Sequence, residues 1–144
     1  MSTALTGAAG EHYVAYLLSR RGFSVGLTRG GSPHVDIMIS DSTGSCIAIQ
    51  VKTSSGARRE YKRRPENNRW EFDVSSKAGT LAGDKLYYAF VDMKGGNGTP
   101  DVFVIPSIEI QKRFANTSYK RPMFWLQDSE KELWFERWDL LTIS

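Results

Sequence analysis

The sequence predicts a three-layer α/β sandwich, a central mixed β-sheet flanked by helices, and three observations predict it. A helical pattern at the start, Leu5 to Arg21, is followed by three short strand-like runs joined by turns. A crossover then leads to a strongly β-prone run, Lys85 to Asp92, and to another at Asp101 to Ile105. Neither an internal repeat nor a linker interrupts the chain, so residues 1–144 are expected to form a single domain.

Each element has a local reason. Gly22 stands where a helix ends on a left-handed residue, with Arg20 and Arg21 near the negative end of the dipole. On a helix of about 3.6 residues per turn, Ala4, Gly7, Ala8, Val14, Ala15 and Leu18 fall within roughly 60° of Glu11. Glu11 is thus expected in the middle of the apolar stripe, where a carboxylate is costly to bury unless something pairs with it. A structural salt bridge is the plain alternative.

Phe23 to Thr28 reads as the first strand, and Arg29-Gly30-Gly31-Ser32-Pro33 as a loop. From His34 to Lys52 the chain alternates with the two-residue period of a strand, broken by Asp41-Ser42-Thr43-Gly44-Ser45. Gly44 suits the left-handed position of a type I turn plus bulge. Folding this hairpin about Thr43 gathers Val35, Ile37, Ile39, Ile47, Ile49 and Val51 on one face. Asp36 then falls opposite Gln50 on the other face, with Lys52 two residues along, which makes this face the candidate working site.

Gly56 to Arg69 has little apolar content and reads as a long loop. Trp70 to Val74 is a short strand, and Ser75 to Leu81 a brief helix. Lys85 to Asp92 is expected to be central. Gly95 to Pro100 is a loop, and Ser107 is placed as the cap of a helix running to Phe114. Ser129-Glu130-Lys131-Glu132 fits a capping box, before an apolar segment (Trp134, Phe135, Trp138, Leu140, Leu141) that should dock on the body.

Composition narrows the classes. With 40% hydrophobic and 24% charged residues the chain is ordinary for a globular protein. Cys46 is the one cysteine, which excludes an intramolecular disulfide and a cysteine-based zinc cluster. No apolar run approaches the roughly 20 residues of a membrane span, and no signal-peptide pattern opens the sequence. A cytoplasmic protein without membrane contact is expected.

The net charge of +3 is unevenly spread. Arg58, Arg59, Lys62, Arg63, Arg64 and Arg69 stand against only Glu60 and Glu66 in the segment after Lys52, which leaves the rest of the chain near neutral. Phosphate contacts supply most non-specific affinity for nucleic acid, so these six cations are expected to grip a backbone. A merely solvated loop is the alternative. No zinc finger or helix-turn-helix pattern points to base reading.

The order Glu11, Asp36, Gln50-Val51-Lys52 resembles the PD-(D/E)xK nuclease superfamily, the restriction-endonuclease-like fold with an α-β-β-β-α-β core. Glu11 resembles the extra glutamate on the first helix of archaeal Holliday junction resolvases and their relatives. The runs around Phe23, Ile49-Gln50-Val51-Lys52-Thr53, Phe90-Val91-Asp92 and Val104-Ile105-Pro106-Ser107 are similar to small stand-alone members. The resemblance covers about Gly7 to Phe114. It implies Mg²⁺ or Mn²⁺ held by Glu11, Asp36, Gln50 and the carbonyl of Val51, and a Lys52 that orients water and neutralises phosphate charge. It implies phosphodiester hydrolysis, with DNA as the expected partner and a homodimer as one way to cut two strands.

The chain departs from the family pattern in two places. Val35 precedes Asp36, the proline being shifted to Pro33, and Gln50 replaces the second acid, a QxK variant. An amide oxygen still suits a hard cation but brings no charge. A catalytically weak or inactive nucleic-acid-binding or regulatory module is therefore the alternative function. Other polar residues have plainer readings. His12 projects about 100° from Glu11, His34 shares the face of Asp36, and Cys46 is expected to be a small buried residue. Asp73, Asp92 and Asp101 suit local bonds at strand ends. The tryptophans are assigned to the core or an interface, except Trp70, which adjoins the basic segment and is a candidate base-stacking residue.

Overall fold

A tight turn between Asp41 and Ser45 fixes the register on which the sheet is built. In the computed structural model, which describes residues 2–29, 34–75, 78, 82–115 and 122–141, the Gly44 amide donates to the Asp41 carbonyl at 3.3 Å. Gly44 has φ +86°, a backbone angle that glycine adopts without a Cβ clash. The Asp41 carboxylate accepts from the Thr43 amide at 2.8 Å and from its hydroxyl at 2.6 Å. The flanking strands, β2 (Ile37–Ser40) and β3 (Cys46–Ser54), pair antiparallel with Ile37 opposite Ile49. This is the register that folding about Thr43 predicts.

With β1 (Ser24–Leu27), β6 (Leu86–Asp92) and β7 (Asp101–Pro106), these strands form a sheet in the order β1-β2-β3-β6-β7. Only the β3–β6 pairing in it is parallel. The predicted α/β sandwich with a mixed sheet is therefore observed, and the run from Lys85 is an inner strand.

One face is covered by α1 (Thr3–Arg20), whose Ser2 cap accepts from the Leu5 amide. Its far end closes with the Gly22 amide on the Ser19 carbonyl, the Phe23 amide on the Leu18 carbonyl and Gly22 at φ +91°, the expected glycine stop. Val14 and Leu18 pack on Ile37, Ile39, Ile47, Ile49 and Val51, and Trp138 and Leu141 from the terminal segment complete this core.

The stripe of α1 is turned from the sequence expectation. Its buried residues are Thr6, Gly10, Val14 and Leu18, which puts Glu11 on the shoulder of the stripe. The cause is close approach: a Cβ on Gly10 would lie 1.8 Å from the Thr53 hydroxyl. The helix turns its smallest side chain, not its mean apolar direction, to the strand.

The other face carries a second sheet, β4 (Arg58–Arg59), β5 (Arg69–Asp73) and β8 (Met123–Gln127), in the order β4-β5-β8. Trp70, Phe72, Phe124 and Leu126 meet Tyr88, Phe90, Phe103 and Ile105, with Ile110 and Phe114 of α2 (Ser107–Phe114) beside them. Phe90 lies 4.8 Å from Phe124 and 5.0 Å from Phe72 between ring centroids. The third layer is thus a small sheet with one helix.

Several local expectations change. Gly56 to Arg69 is not one long loop: it holds β4, a 3₁₀ turn at Pro65–Asn67 and the start of β5. Ser107 is not the cap of α2, a place taken by Pro106; its buried hydroxyl clamps Gly83, accepting from the amide at 3.0 Å and donating to the carbonyl at 3.1 Å. The capping box is formed by Gln127 and Glu130, ahead of α3 (Lys131–Trp134). Cys46 is exposed. The loop at residues 30–33 and most of the helix expected at Ser75 to Leu81 lie outside the described residues. Among the described residues, no helix is long and apolar enough to cross a membrane.

Candidate active site

Asp36 is held on three sides just before β2 begins. Its amide donates to the Ile49 carbonyl at 3.0 Å, and its carbonyl accepts from the Thr28 amide at 2.9 Å. Its Oδ2 accepts from the Val51 amide at 2.7 Å. The carboxylate is therefore pinned to the backbone of β3, beside the residue whose carbonyl the resemblance assigns to the metal.

Gln50 continues the register opposite Asp36 and is only 6% exposed. Its Oε1 is buried and has no hydrogen-bond partner. Leaving such an acceptor unsatisfied costs about 1–3 kcal/mol. Lys52, half-buried two residues along on the same face, makes no ion pair among the described residues.

Glu11 enters from α1. Its carboxyl is raised above the ordinary 4.5, first by burial and then by the negative charge of Asp36, with His12 opposing. The Asp36 charge thus reaches Glu11, which approaches from the shoulder of the stripe. Among the described residues, no three His, Cys, Asp or Glu side chains converge as a ligand set. Asp36 and Gln50 stand opposite each other across the β2–β3 register, and Glu11 is close enough to Asp36 to feel its charge.

Two neighbours extend this group. His34 has a buried Nδ1 without a partner. Tyr88, opposite Gln50 across the parallel pair, has a fully buried hydroxyl without one. Burial raises its phenol above the ordinary value. The signal for Tyr88 in the sequence is a tyrosine hydroxyl in a strand too apolar to satisfy it.

The chain is similar to a bacterial homing endonuclease, I-Ssp6803I. The likeness covers 97% of this chain and 91% of that one, with a TM-score of 0.63 and 16% sequence identity. What the two share at that identity is the fold, a nuclease-like α/β sandwich. No family model matches the chain, and a comparison with curated proteins finds no match.

The basic segment divides in two. Arg58 forms a forked ion pair with Asp128, with Nη2 3.0 Å from Oδ2, and lies 4.3 Å over the Trp70 ring. Arg59 and Arg69 both bind Glu71, at 3.6 and 2.9 Å. These three cations belong to the small sheet. Lys62, Arg63 and Arg64 are exposed and make no ion pair among the described residues. Trp70 is only 7% exposed, so it offers no free ring face for a base. Trp125, assigned from sequence to the core or an interface, is 47% exposed. Its outward parity in β8, with Phe124 and Leu126 inward, was the signal available.

Proposed function

We propose that this chain is a divalent-metal-dependent nuclease that hydrolyses phosphodiester bonds in DNA, of the PD-(D/E)xK type with glutamine in the second acid position. The observation that carries the reading is Asp36, pinned to the Val51 amide and opposite the buried Gln50, with Lys52 along the same face and Glu11 near enough to feel the Asp36 charge. The fold likeness to a homing endonuclease supports the same class.

The residues fit Mg²⁺ or Mn²⁺. Glu11, Asp36, the Gln50 amide oxygen and the Val51 carbonyl are hard oxygen donors, and one or two carboxylates suffice when waters fill the remaining positions. A cation held there would lower the pKa of a bound water and stabilise negative charge on the phosphate.

The chain's own groups do the rest. The Val51 amide occupies one oxygen of Asp36, which leaves the other for a ligand. Glu11 supplies the charge that Gln50 lacks. Lys52, with no acid claiming its ammonium, is free to orient the attacking water and to bind a phosphate oxygen as charge builds on it. Lys62, Arg63 and Arg64 hold the backbone, since Arg58, Arg59 and Arg69 are bound to acids of the small sheet.

The neutral side chain at Gln50 favours a second reading, a nucleic-acid-binding module that kept the fold and lost the chemistry. Incubation with supercoiled, linear, single-stranded and branched DNA and with RNA, plus Mg²⁺ or Mn²⁺, separates the two. The nuclease reading expects cutting that EDTA stops and that Asp36→Ala and Lys52→Ala each reduce on the order of a hundredfold or more, with binding retained. Salt-sensitive binding without cutting on every substrate would establish the binding module. A chain that neither binds nor cuts would overturn both.

A further inference from the structure

The outer face of the small sheet has no role in the site above, yet it is built in an unusual way. Trp125 and Tyr61 are 47% and 39% exposed. Between them stands Arg69, its guanidinium 3.8 Å from the centre of the Trp125 ring and 5.5 Å from that of Tyr61. Its Nη2 also lies 3.4 Å from the Tyr61 hydroxyl. Glu71 holds Arg69 at 2.9 Å, so the stack is fixed from the strand and not left to solvent. Arg69 covers part of each ring, and the exposed part faces solvent.

Charge and access single out the occupant. Lys62, Arg63 and Arg64 follow Tyr61 directly, exposed and without ion pairs among the described residues. A polar cleft of about 240 Å³ lies between the strand end after Lys52 and β5, lined by Thr53, Ser54, Ser55, Arg59, Glu71 and Asp73 among others, and shares Glu71 with the Arg69 contact. Free cations beside flat aromatic rings are what a nucleic-acid strand with unstacked bases requires. A continuous duplex keeps its base faces covered and offers only backbone. We propose that the Tyr61–Arg69–Trp125 stack receives an unpaired base of a strand whose phosphates Lys62, Arg63 and Arg64 hold.

The inference rests on the nucleic-acid reading above, and it deepens that reading: the substrate carries a single-stranded segment next to the bond to be cut. It does not depend on the metal. A strand leaving the Asp36–Lys52 face follows the cleft past Thr53 and Ser55 and reaches the rings on the outer face.

The test is equilibrium binding in EDTA, with no cutting, to a labelled blunt duplex, to the same duplex with an unpaired overhang and to the single strand. The wild-type chain is expected to prefer the two forms with unpaired bases. Trp125→Ala should lose about tenfold or more on those forms and nothing on the blunt duplex, while Trp125→Phe keeps most of the affinity. Tyr61→Ala should act in the same direction, and thermal unfolding of each variant checks that the fold is intact. Equal losses on all three probes, or no loss on any, would overturn the platform while leaving the nuclease reading standing. Absence of wild-type binding to every probe would remove the nucleic-acid reading itself. A wild-type dimer in sedimentation that Trp125→Ala turns into monomer would assign the face to a second copy of the chain and overturn the platform.

Discussion

Gln50 is the residue on which the chemistry turns. Converting it to glutamate puts a third acid beside Asp36 in a place only 6% exposed. Without metal, Gln50→Glu should lower the unfolding temperature, because a like charge is buried against an existing one. With Mn²⁺ the order should reverse, and calorimetric titration should record tighter binding than in the wild type. Glu11 gives a second handle. Its folded pKa is raised, so the folded state holds the proton more tightly than the unfolded chain. The sign follows: this contribution is full below 4.5, the ordinary value, and is lost as pH rises through the higher folded value. Glu11→Gln should therefore stabilise the metal-free protein at neutral pH and make no difference in acid, as thermal melts across pH would record. It should also weaken stabilisation by added Mn²⁺. At this scale the sequence was readable where strand parity spoke: Asp36, Gln50 and Lys52 share a face because alternation and one turn put them there. Glu11 was expected in the middle of the buried stripe and stands on its shoulder. Sequence does not separate Tyr88 from Trp125, because an aromatic in a strand has the same pattern whether it is buried or turned outward.

The packing of α1 on β3 decides whether the acids meet. Gly10 allows the contact, since its Cβ would fall 1.8 Å from the Thr53 hydroxyl. Gly10→Ala should cost about 1–3 kcal/mol by overpacking, measured in urea. Adding Thr53→Ala removes the nearest atom and should recover part of the loss. The basic segment makes the complementary point. Arg58→Ala should lower stability by roughly 1 kcal/mol, through its ring contact and ion pair, with little effect on nucleic-acid affinity. Replacing Lys62, Arg63 and Arg64 by glutamine should leave melting unchanged and flatten the salt dependence of duplex binding by roughly 2 to 3 log units per log salt, about 0.9 per phosphate contact. Sequence saw the charge of this segment but not its structure. β4 is two arginines long, without apolar alternation, and its place is set by Trp70 and Asp128 from elsewhere.

Across the whole molecule, the main sheet was legible because its hydrophobic runs are long and its first turn is explicit. The small sheet was not, because it is discontinuous: β4 and β5 lie in the crossover between the parallel strands β3 and β6, whereas β8 returns after α2. No local pattern announces that Met123–Gln127 pairs with Arg69–Asp73. Every candidate chemical group, from Glu11 to Lys52, lies in the first part of the chain. The strand that supplies Trp125, and Asp128 just beyond it, comes near the end. The candidate chemical groups therefore come from one contiguous part of the chain, whereas the small sheet that carries Trp125 is closed only when β8 pairs with β5.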